Sequence, residues 1–326
     1  MSSLAVIILA AGKGTRMKSA KTKVLHEICG RPMVLFPIDL ATRLRANKTV
    51  VVVGHQAEQV KQAIRTLRPR VRVDFALQSE QNGTGHAVLQ AKKALRGFRG
   101  EVLILSGDVP LLQLDTLRAL QRQHLSKKAD LTVMTTFMDD PTGYGRCVVG
   151  EGGRLERIVE HKDATAAERR IEEINAGIYC IDSQLLWRSL AKIGTDNAQG
   201  EMYLTDIVHV AGAAKKSVYT FAAEDAEEVS GVNSRADLAR IAELVRGFIN
   251  DEHMRAGVTM LDPYNAYIDF GVKIGPDTVL EPGVMLTGKT RVGAGCRIGL
   301  GARLHDAIVA DDAEVPAHAD LKKSRK

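Results

Sequence analysis

Two glycines and two cations follow directly on the first apolar run of the chain, in Leu9-Ala-Ala-Gly-Lys-Gly-Thr-Arg-Met17. Ala10, Ala11, Gly12 and Gly14 strip side chains from the backbone as it leaves a strand, so main-chain N–H groups come close to a ligand. Lys13 and Arg16 add positive charge there. Bare amides and cations at the carboxyl end of a first parallel strand suit a polyanion, and a nucleotide phosphate chain is the natural one. The spacing is not the dinucleotide fingerprint, because Met17 occupies its third glycine position, nor is it the Walker A loop, whose glycines stand farther apart. Taken alone, the turn also reads as an ordinary strand-to-helix connection. The second chemical candidate is Asp108, which closes the apolar run Val102-Leu-Ile-Leu-Ser-Gly-Asp108 where a glycine admits a ligand. A carboxylate there either holds the Mg²⁺ that a bound triphosphate requires or caps the helix announced by Pro110 and Leu111, and the metal role is the one expected.

These residues need a sheet to bring them together. Leu4 to Leu9 is apolar without alternation, the pattern of a strand buried on both faces of a parallel sheet. Thr49 to Gly54, Val71 to Leu77 and Val102 to Asp108 read as further strands; Pro32 to Arg45 and Ala57 to Leu67 read as helices, the latter with Val60, Ile64 and Leu67 on one face. Strand and helix patterns alternate to about residue 230, which predicts an α/β fold with a Rossmann-like, doubly wound, mainly parallel sheet. In such sheets ligands bind beyond the carboxyl ends of the strands, so the loops after Leu9, Leu77 and Ser106 should converge at one edge.

The chain has 326 residues, 45% hydrophobic and 26% charged, enough for a sizeable core and two domains. No apolar run approaches the roughly 18 residues of a membrane span, and the N-terminus lacks a signal-peptide pattern, so a soluble cytoplasmic protein with no membrane partner is expected. Cys29, Cys147, Cys180 and Cys296 are far apart in sequence and indicate neither a zinc motif nor a disulfide framework; they read as small buried hydrophobes. The net charge of +6 comes largely from residues 65–72, 92–99 and the tail 322–326. Only 4% of residues are aromatic and none interleave with these runs, which argues for a solvated basic face and against a nucleic-acid partner.

Leu9 to Met17, followed by Lys23-Val-Leu-His26 and Gly30-Arg-Pro-Met33, resembles the signature of nucleotide-sugar pyrophosphorylases. The chain is most similar to the bacterial bifunctional family of N-acetylglucosamine-1-phosphate uridylyltransferases and glucosamine-1-phosphate acetyltransferases. The resemblance implies that UTP and N-acetylglucosamine-1-phosphate react to give UDP-N-acetylglucosamine and pyrophosphate, with Mg²⁺ as cofactor. Carried over by position, Leu9, Ala10, Ala11 and Gly12 meet the uridine and ribose through backbone, and Gln78, Gly83 and Thr84 read the uracil. Lys23 and Arg16 neutralise the phosphates. Ser106, Gly107, Gly145, Glu160, Asn175 and Asn233 line the sugar side, and Asp108 with Asn233 holds the metal, which makes Arg16, Lys23 and Asp108 the catalytic group. Asn197 to Asp206 also matches the family, although helix capping explains part of that pattern. His26, His86 and His161 lie inside the motifs and read as structural. Two departures stand out: Thr22 replaces the proline before the lysine, which should loosen the lysine loop, and Ala176 replaces the threonine after Asn175, which removes a hydroxyl beside the sugar. A pyrophosphorylase for another sugar or base, of the dTDP-glucose or ADP-glucose type, and a non-catalytic nucleotide-sugar sensor or scaffold are the competing readings.

Residues 1–233 are therefore expected to form a nucleotidyltransferase domain, 234–256 a linker helix and 257–326 a third region. In the linker, Leu238, Ile241, Val245, Phe248 and Ile249 share a helical face, and Ser234 with Asp237 forms a capping box. A six-residue period then places Ile268, Ile274, Leu280, Leu286, Val292, Ile298 and Leu304 in register, and after one slip Val309, Val315 and Leu321 resume it. Small or β-branched residues four positions on, Val272, Thr278, Val284, Thr290, Cys296 and Ala302, complete the signal for a short left-handed parallel β-helix of about three coils. By the resemblance, such β-helices associate as homotrimers. The family's acetyltransferase site belongs to coils beyond those encoded here, so no acetyl transfer is expected of this chain.

Overall fold

A computed structural model describes residues 3–322; residues 323–326 of the basic tail lie outside the described part. The chain forms two compact units, one of residues 3–25 and 33–233, the other of residues 26–32 and 234–322. In chain order the elements are β1 (Leu4–Ala10), β2 (Glu27–Ile28), β3 (Arg31–Pro32), α1 (Leu35–Arg43), β4 (Lys48–Val53), α2 (Ala57–Leu67), β5 (Asp74–Leu77), α3 (Thr84–Gln90) and β6 (Glu101–Ser106). They continue with α4 (Leu114–Ser126), β7 (Leu131–Phe137), β8 (Arg146–Val149), β9 (Leu155–Val159), β10 (Glu173–Asp182), α5 (Ser183–Leu190), α6 (Asp206–Ala213), β11 (Val218–Ala222) and α7 (Arg235–Arg255).

The first unit is built on one sheet in the order β11-β7-β10-β6-β1-β4-β5, with β8 and β9 attached through β10. The pairs β1/β4, β1/β6, β4/β5 and β7/β11 are parallel, and β10 runs antiparallel between β6 and β7. Side chains alternate across each strand, so Val6, Ile8 and Ala10 of β1 join one core with α1, α2 and α4, while Ala5 and Ile7 join a second core with α3, α5 and α6. This is the doubly wound, mainly parallel layout expected from the unbroken apolar strands. The chain leaves β1 on one side, through β4 and β5, and returns on the other at β6, which makes the β1/β6 boundary the topological switch point.

Two expected elements are shorter than their patterns. Val71 to Val73 stay outside β5 because the turn at Pro69 closes with Val71 N–H on the Arg68 carbonyl. The helix expected from Pro32 begins at Leu35, because Cys29 at φ 46° and Gly30 at φ 74° turn residues 27–32 into the β2/β3 hairpin.

In the second unit, α7 opens on the expected reciprocal capping box of Ser234 and Asp237. Its buried face carries Ile241, Val245, Ile249 and Asn250, whereas Phe248 is exposed. The stripe is drawn towards Asn250, whose Nδ2 donates to the carbonyls of Pro263 and Ala266 at 2.7 and 2.9 Å. Short parallel strands then stack in three sheets. Ile268 pairs with Leu286 and Leu286 with Leu304, steps of 18 residues, and Leu304 pairs with Leu321, a step of 17. The slip is one residue lost at the corner Asp306-Ala307, with Asp306 at φ 54°; Val309 and Val315 keep the inward register, whereas Leu321, on the last described strand, is exposed because no described coil covers it. Val272, Thr278, Val284, Thr290, Cys296 and Ala302 are all buried at the corners, as the period predicted. No helix among the described residues is long and apolar enough to cross a membrane.

Candidate active site

At the switch point, Gly107 N–H donates to the Leu9 carbonyl at 2.9 Å, and a Cβ on Gly107 would stand 2.8 Å from that oxygen. Only glycine lets the two strand ends approach so closely, and Asp108 follows immediately. Its carboxylate pairs with the Lys23 ammonium, which also donates to Asn233 Oδ1 at 3.2 Å. The Asp108 carbonyl accepts Val232 N–H at 2.9 Å, which keeps the Gly231–Asn233 segment beside it. Three residues remote in sequence thus meet at the carboxyl end of β6. Asp108 caps no helix; the N-cap of α4 is Gln113.

The glycine-rich turn positions the lysine. Gly14 sits at φ 61°, and a Cβ there would lie 2.6 Å from Lys23 Cβ, so any larger residue would push the lysine stem aside. Buried Met17 anchors the turn, while Gly12, Lys13 and Arg16 stand exposed. The lysine loop is not loosened by Thr22. That residue is buried, its N–H donates to Gln56 Oε1 at 3.0 Å, and Gln56 Nε2 returns a bond to the Ala20 carbonyl at 2.6 Å. Proline has no N–H with which to make the first of these bonds.

Gln78, Gly83 and Thr84 also come together. Gln78 is buried after β5, with Nε2 donating to the Gly83 carbonyl at 3.1 Å and lying 3.2 Å from His86 Nδ1, so of its amide Oε1 remains for a ligand. Gly83 sits at φ 103°, where a Cβ would come within 2.8 Å of Met202 N.

Among the residues expected to line the sugar side, Asn175 N–H donates to the Gly145 carbonyl at 2.9 Å, and a Cβ on Gly145 would lie 3.6 Å from both Glu160 carboxylate oxygens. β10 bulges between Asn175 and Ile178, and a Cβ on Gly177 would meet Ser106 Oγ at 3.5 Å, which places this group beside the end of β6. The Asn175 amide is already engaged, Nδ2 with Tyr179 Oη at 2.8 Å and Oδ1 with Gly177 N–H at 2.9 Å, so it sets the bulge. Burial, then the carboxylates of Asp206, Asp163 and Glu201, push Glu160 above the ordinary carboxylate range, although Thr205 Oγ1 donates to it at 3.1 Å.

Comparison with known proteins bears on this geometry. The nucleotidyl transferase family matches residues 5–253. The chain is 50% identical over 322 residues to the bifunctional protein GlmU of Anaeromyxobacter dehalogenans, covering 99% of this chain and 66% of that protein. It is 45% identical over 315 residues to the bifunctional protein GlmU of Listeria innocua, covering 97% of this chain and 68% of the relative. This chain belongs to the nucleotidyl transferase family. It spans about two thirds of the length of these relatives.

Two features of this nucleotidyl transferase escaped sequence reasoning. The segment from Asn197 to Thr205 is not only a helix entry; it straps the loop of residues 82–85 to the loop of residues 162–163. Met202 N–H donates to the Asn82 carbonyl at 2.9 Å, Gly85 N–H to the Met202 carbonyl at 2.8 Å and Leu204 N–H to Thr84 Oγ1 at 3.0 Å. At its other end, Ala198 N–H donates to Asp163 Oδ1 at 2.9 Å and Lys162 Nζ to Gln199 Oε1 at 2.8 Å. The second feature is Arg146, which is almost fully buried. Its guanidinium bonds the Tyr144 carbonyl and lies 3.3 Å from His161 Nδ1, tying the two loops around Gly145 and Glu160. An arginine after a glycine at a strand start carries no sequence signal of burial.

Proposed function

We propose that the chain is a UTP:N-acetylglucosamine-1-phosphate uridylyltransferase, forming UDP-N-acetylglucosamine and pyrophosphate. The observation that carries this reading is the meeting of Asp108, Asn233 and Lys23 at the switch point, beside a glycine-rich turn and a loop bearing Gln78. Gln78 Oε1 is suited to accept the N3–H of uracil, a donor that cytosine lacks. The decisive experiment is pyrophosphate release measured across a panel of nucleoside triphosphates and sugar phosphates. Strong preference for UTP with N-acetylglucosamine-1-phosphate supports the reading; preference for another pair replaces it.

Asp108 Oδ2 and Asn233 Oδ1 are hard oxygen donors that already converge on one cationic group, the Lys23 ammonium, so a hard divalent cation such as Mg²⁺ fits the pair. When bound, such an ion neutralises charge on the triphosphate. The chain's own residues supply the rest. The amides of the Gly12–Gly14 turn face the phosphates, and Lys23 and Arg16 place positive charge where negative charge develops. Gly145, Glu160 and Asn175 orient the sugar so that its phosphate oxygen attacks the α-phosphorus in line as pyrophosphate leaves. No protein nucleophile is required, and rate comes from positioning and electrostatics.

Glu160 gives this scheme a pH signature. Its folded pKa is raised above that of the unfolded chain, so the folded state holds the proton more tightly and stability falls as pH rises through the window between the two values. Glu160→Gln should therefore unfold at a higher temperature than the native chain at neutral pH. Sugar hydroxyls donate to the ionised carboxylate, so the native KM for the sugar phosphate should climb on acidification, starting above the usual carboxylate range. A KM profile that is equally steep in Glu160→Gln would remove Glu160 from the sugar site.

The strap predicts a shared defect. Asn197 Oδ1 accepts N–H bonds from Gln199 and Glu201 and its Nδ2 donates to the Glu201 carbonyl, so Asn197→Ala loses the bonds that shape the strap. At about 1 kcal/mol for each lost bond, KM should rise at least roughly fivefold for both substrates with kcat little changed. A change confined to one substrate would show that the two sides are held independently.

The reading places the reaction in the cytoplasm, with its UTP. Large apolar side chains stand exposed on the second unit, Tyr264 at 80% and Ile308 at 75% among them, and suit it to packing against copies of itself as a homotrimer. Light scattering at micromolar concentration should give three times the chain mass; a monomer refutes the assembly.

A further inference from the structure

At the end of β6 remote from Asp108, Glu101 opens the strand. Cys180 of β10 stands opposite Leu103, two residues on, so Glu101 and Cys180 project from the same face of the sheet. The last turn of α4 covers that face and delivers His124, which is only 2% exposed. One ligand atom from each of the three residues lies within 4.8 Å of the others. His124 Nε2 and Glu101 Oε2 are 2.8 Å apart, yet neither makes a hydrogen bond of acceptable geometry, so two buried polar atoms face each other without satisfying one another. The other ring nitrogen, Nδ1, lies 2.9 Å from Thr132 Oγ1, which fixes the ring and turns Nε2 towards the cluster.

We propose that Glu101, His124 and Cys180 bind a borderline divalent cation of the Zn²⁺ class, at a site separate from Asp108 and Asn233. The donor set is one imidazole nitrogen, one sulfur and one carboxylate oxygen, the ligands that Zn²⁺ takes in tetrahedral sites; a hard ion such as Mg²⁺ has no use for the thiolate. Thr132 plays the outer-shell part, holding the histidine from behind. The Glu101 side chain is 19% exposed, and this edge supplies both the entry path and a water for the fourth position. Burial and the Glu101 charge hold Cys180 as the neutral thiol. Binding therefore breaks the S–H bond, forms the metal–sulfur bond and releases one proton to solvent. The ion would rivet α4 to β6 and β10 beneath the sheet.

The test uses the full chain and Co²⁺ as a spectroscopic probe. One equivalent of Co²⁺ should produce a thiolate-to-metal charge-transfer band and tetrahedral visible bands, both abolished by one equivalent of Zn²⁺, and Zn²⁺ should raise the unfolding midpoint. Cys180→Ala should lose the charge-transfer band and Glu101→Gln should weaken binding at least tenfold, both with transferase activity retained; Asp108→Asn should leave the band unchanged. Absence of the band in the native chain, or its persistence in Cys180→Ala, overturns the proposal. Loss of the band in Asp108→Asn overturns the separateness of the two sites.

Discussion

Asp108→Asn is expected to lower the turnover of uridylyl transfer by about a hundredfold or more, which corresponds to about 2.7 kcal/mol of transition-state stabilisation. The substitution is nearly isosteric. The main-chain bond from Val232 N–H to the Asp108 carbonyl survives it, as does the close passage of Gly107 over Leu9. What disappears is the negative charge that faces Lys23 and, on the proposed reading, one carboxylate ligand of the metal. The loss should fall mainly on kcat, because neutralisation matters most as charge develops on the departing pyrophosphate. Steady-state kinetics over a range of Mg²⁺ concentrations checks it, with circular dichroism to confirm that the fold is retained. Near-normal turnover at ordinary Mg²⁺ would remove Asp108 from the metal site.

Leu286→Ala is expected to destabilise the second unit by about 2–5 kcal/mol, the usual cost of truncating a fully buried leucine. Leu286 is completely buried and pairs in register with Ile268 on one side and Leu304 on the other. Each coil of a stacked fold touches only its neighbours, so the cavity should loosen the coils on both sides. Chemical denaturation and limited proteolysis of residues 257–322 would report it. Lys289→Ala, at an exposed polar position of the same unit, serves as the control and should stay within about 0.5 kcal/mol of the native chain. Equal effects from the two substitutions would refute the inward register.

The sequence by itself determined what depends on short-range pattern. Unbroken apolar runs at Leu4 to Leu9 and Val102 to Ser106 required strands covered on both faces, and hence helices on both sides of a sheet. The six-residue period determined the stacked coils and most of their inward residues, from Ile268 through Leu286 and Leu304 to Val315, because a side chain repeated once per strand faces the same interior each time. Ser234 and Asp237 marked the start of α7 because a capping box is closed by residues three apart. The glycine-rich turn suggested an anion site, and the family resemblance supplied the remaining candidates.

Tertiary structure decided what depends on residues distant in the chain. That Lys23 lies between Asp108 and Asn233 follows from the order of the strands, and no local pattern encodes it. The burial of Arg146, the strap from Asn197 to Thr205 and the replacement of a proline by a threonine tied to Gln56 all rest on bonds that close only once the sheet has formed. On α7 the apolar Phe248 is exposed while the polar Asn250, bonded to Pro263 and Ala266, is buried, an exchange that apolar periodicity alone does not show. Glu101, His124 and Cys180 show the same thing at its plainest. Their spacing in sequence says nothing; the antiparallel insertion of β10 beside β6 and the packing of α4 over that face bring them within ligand distance.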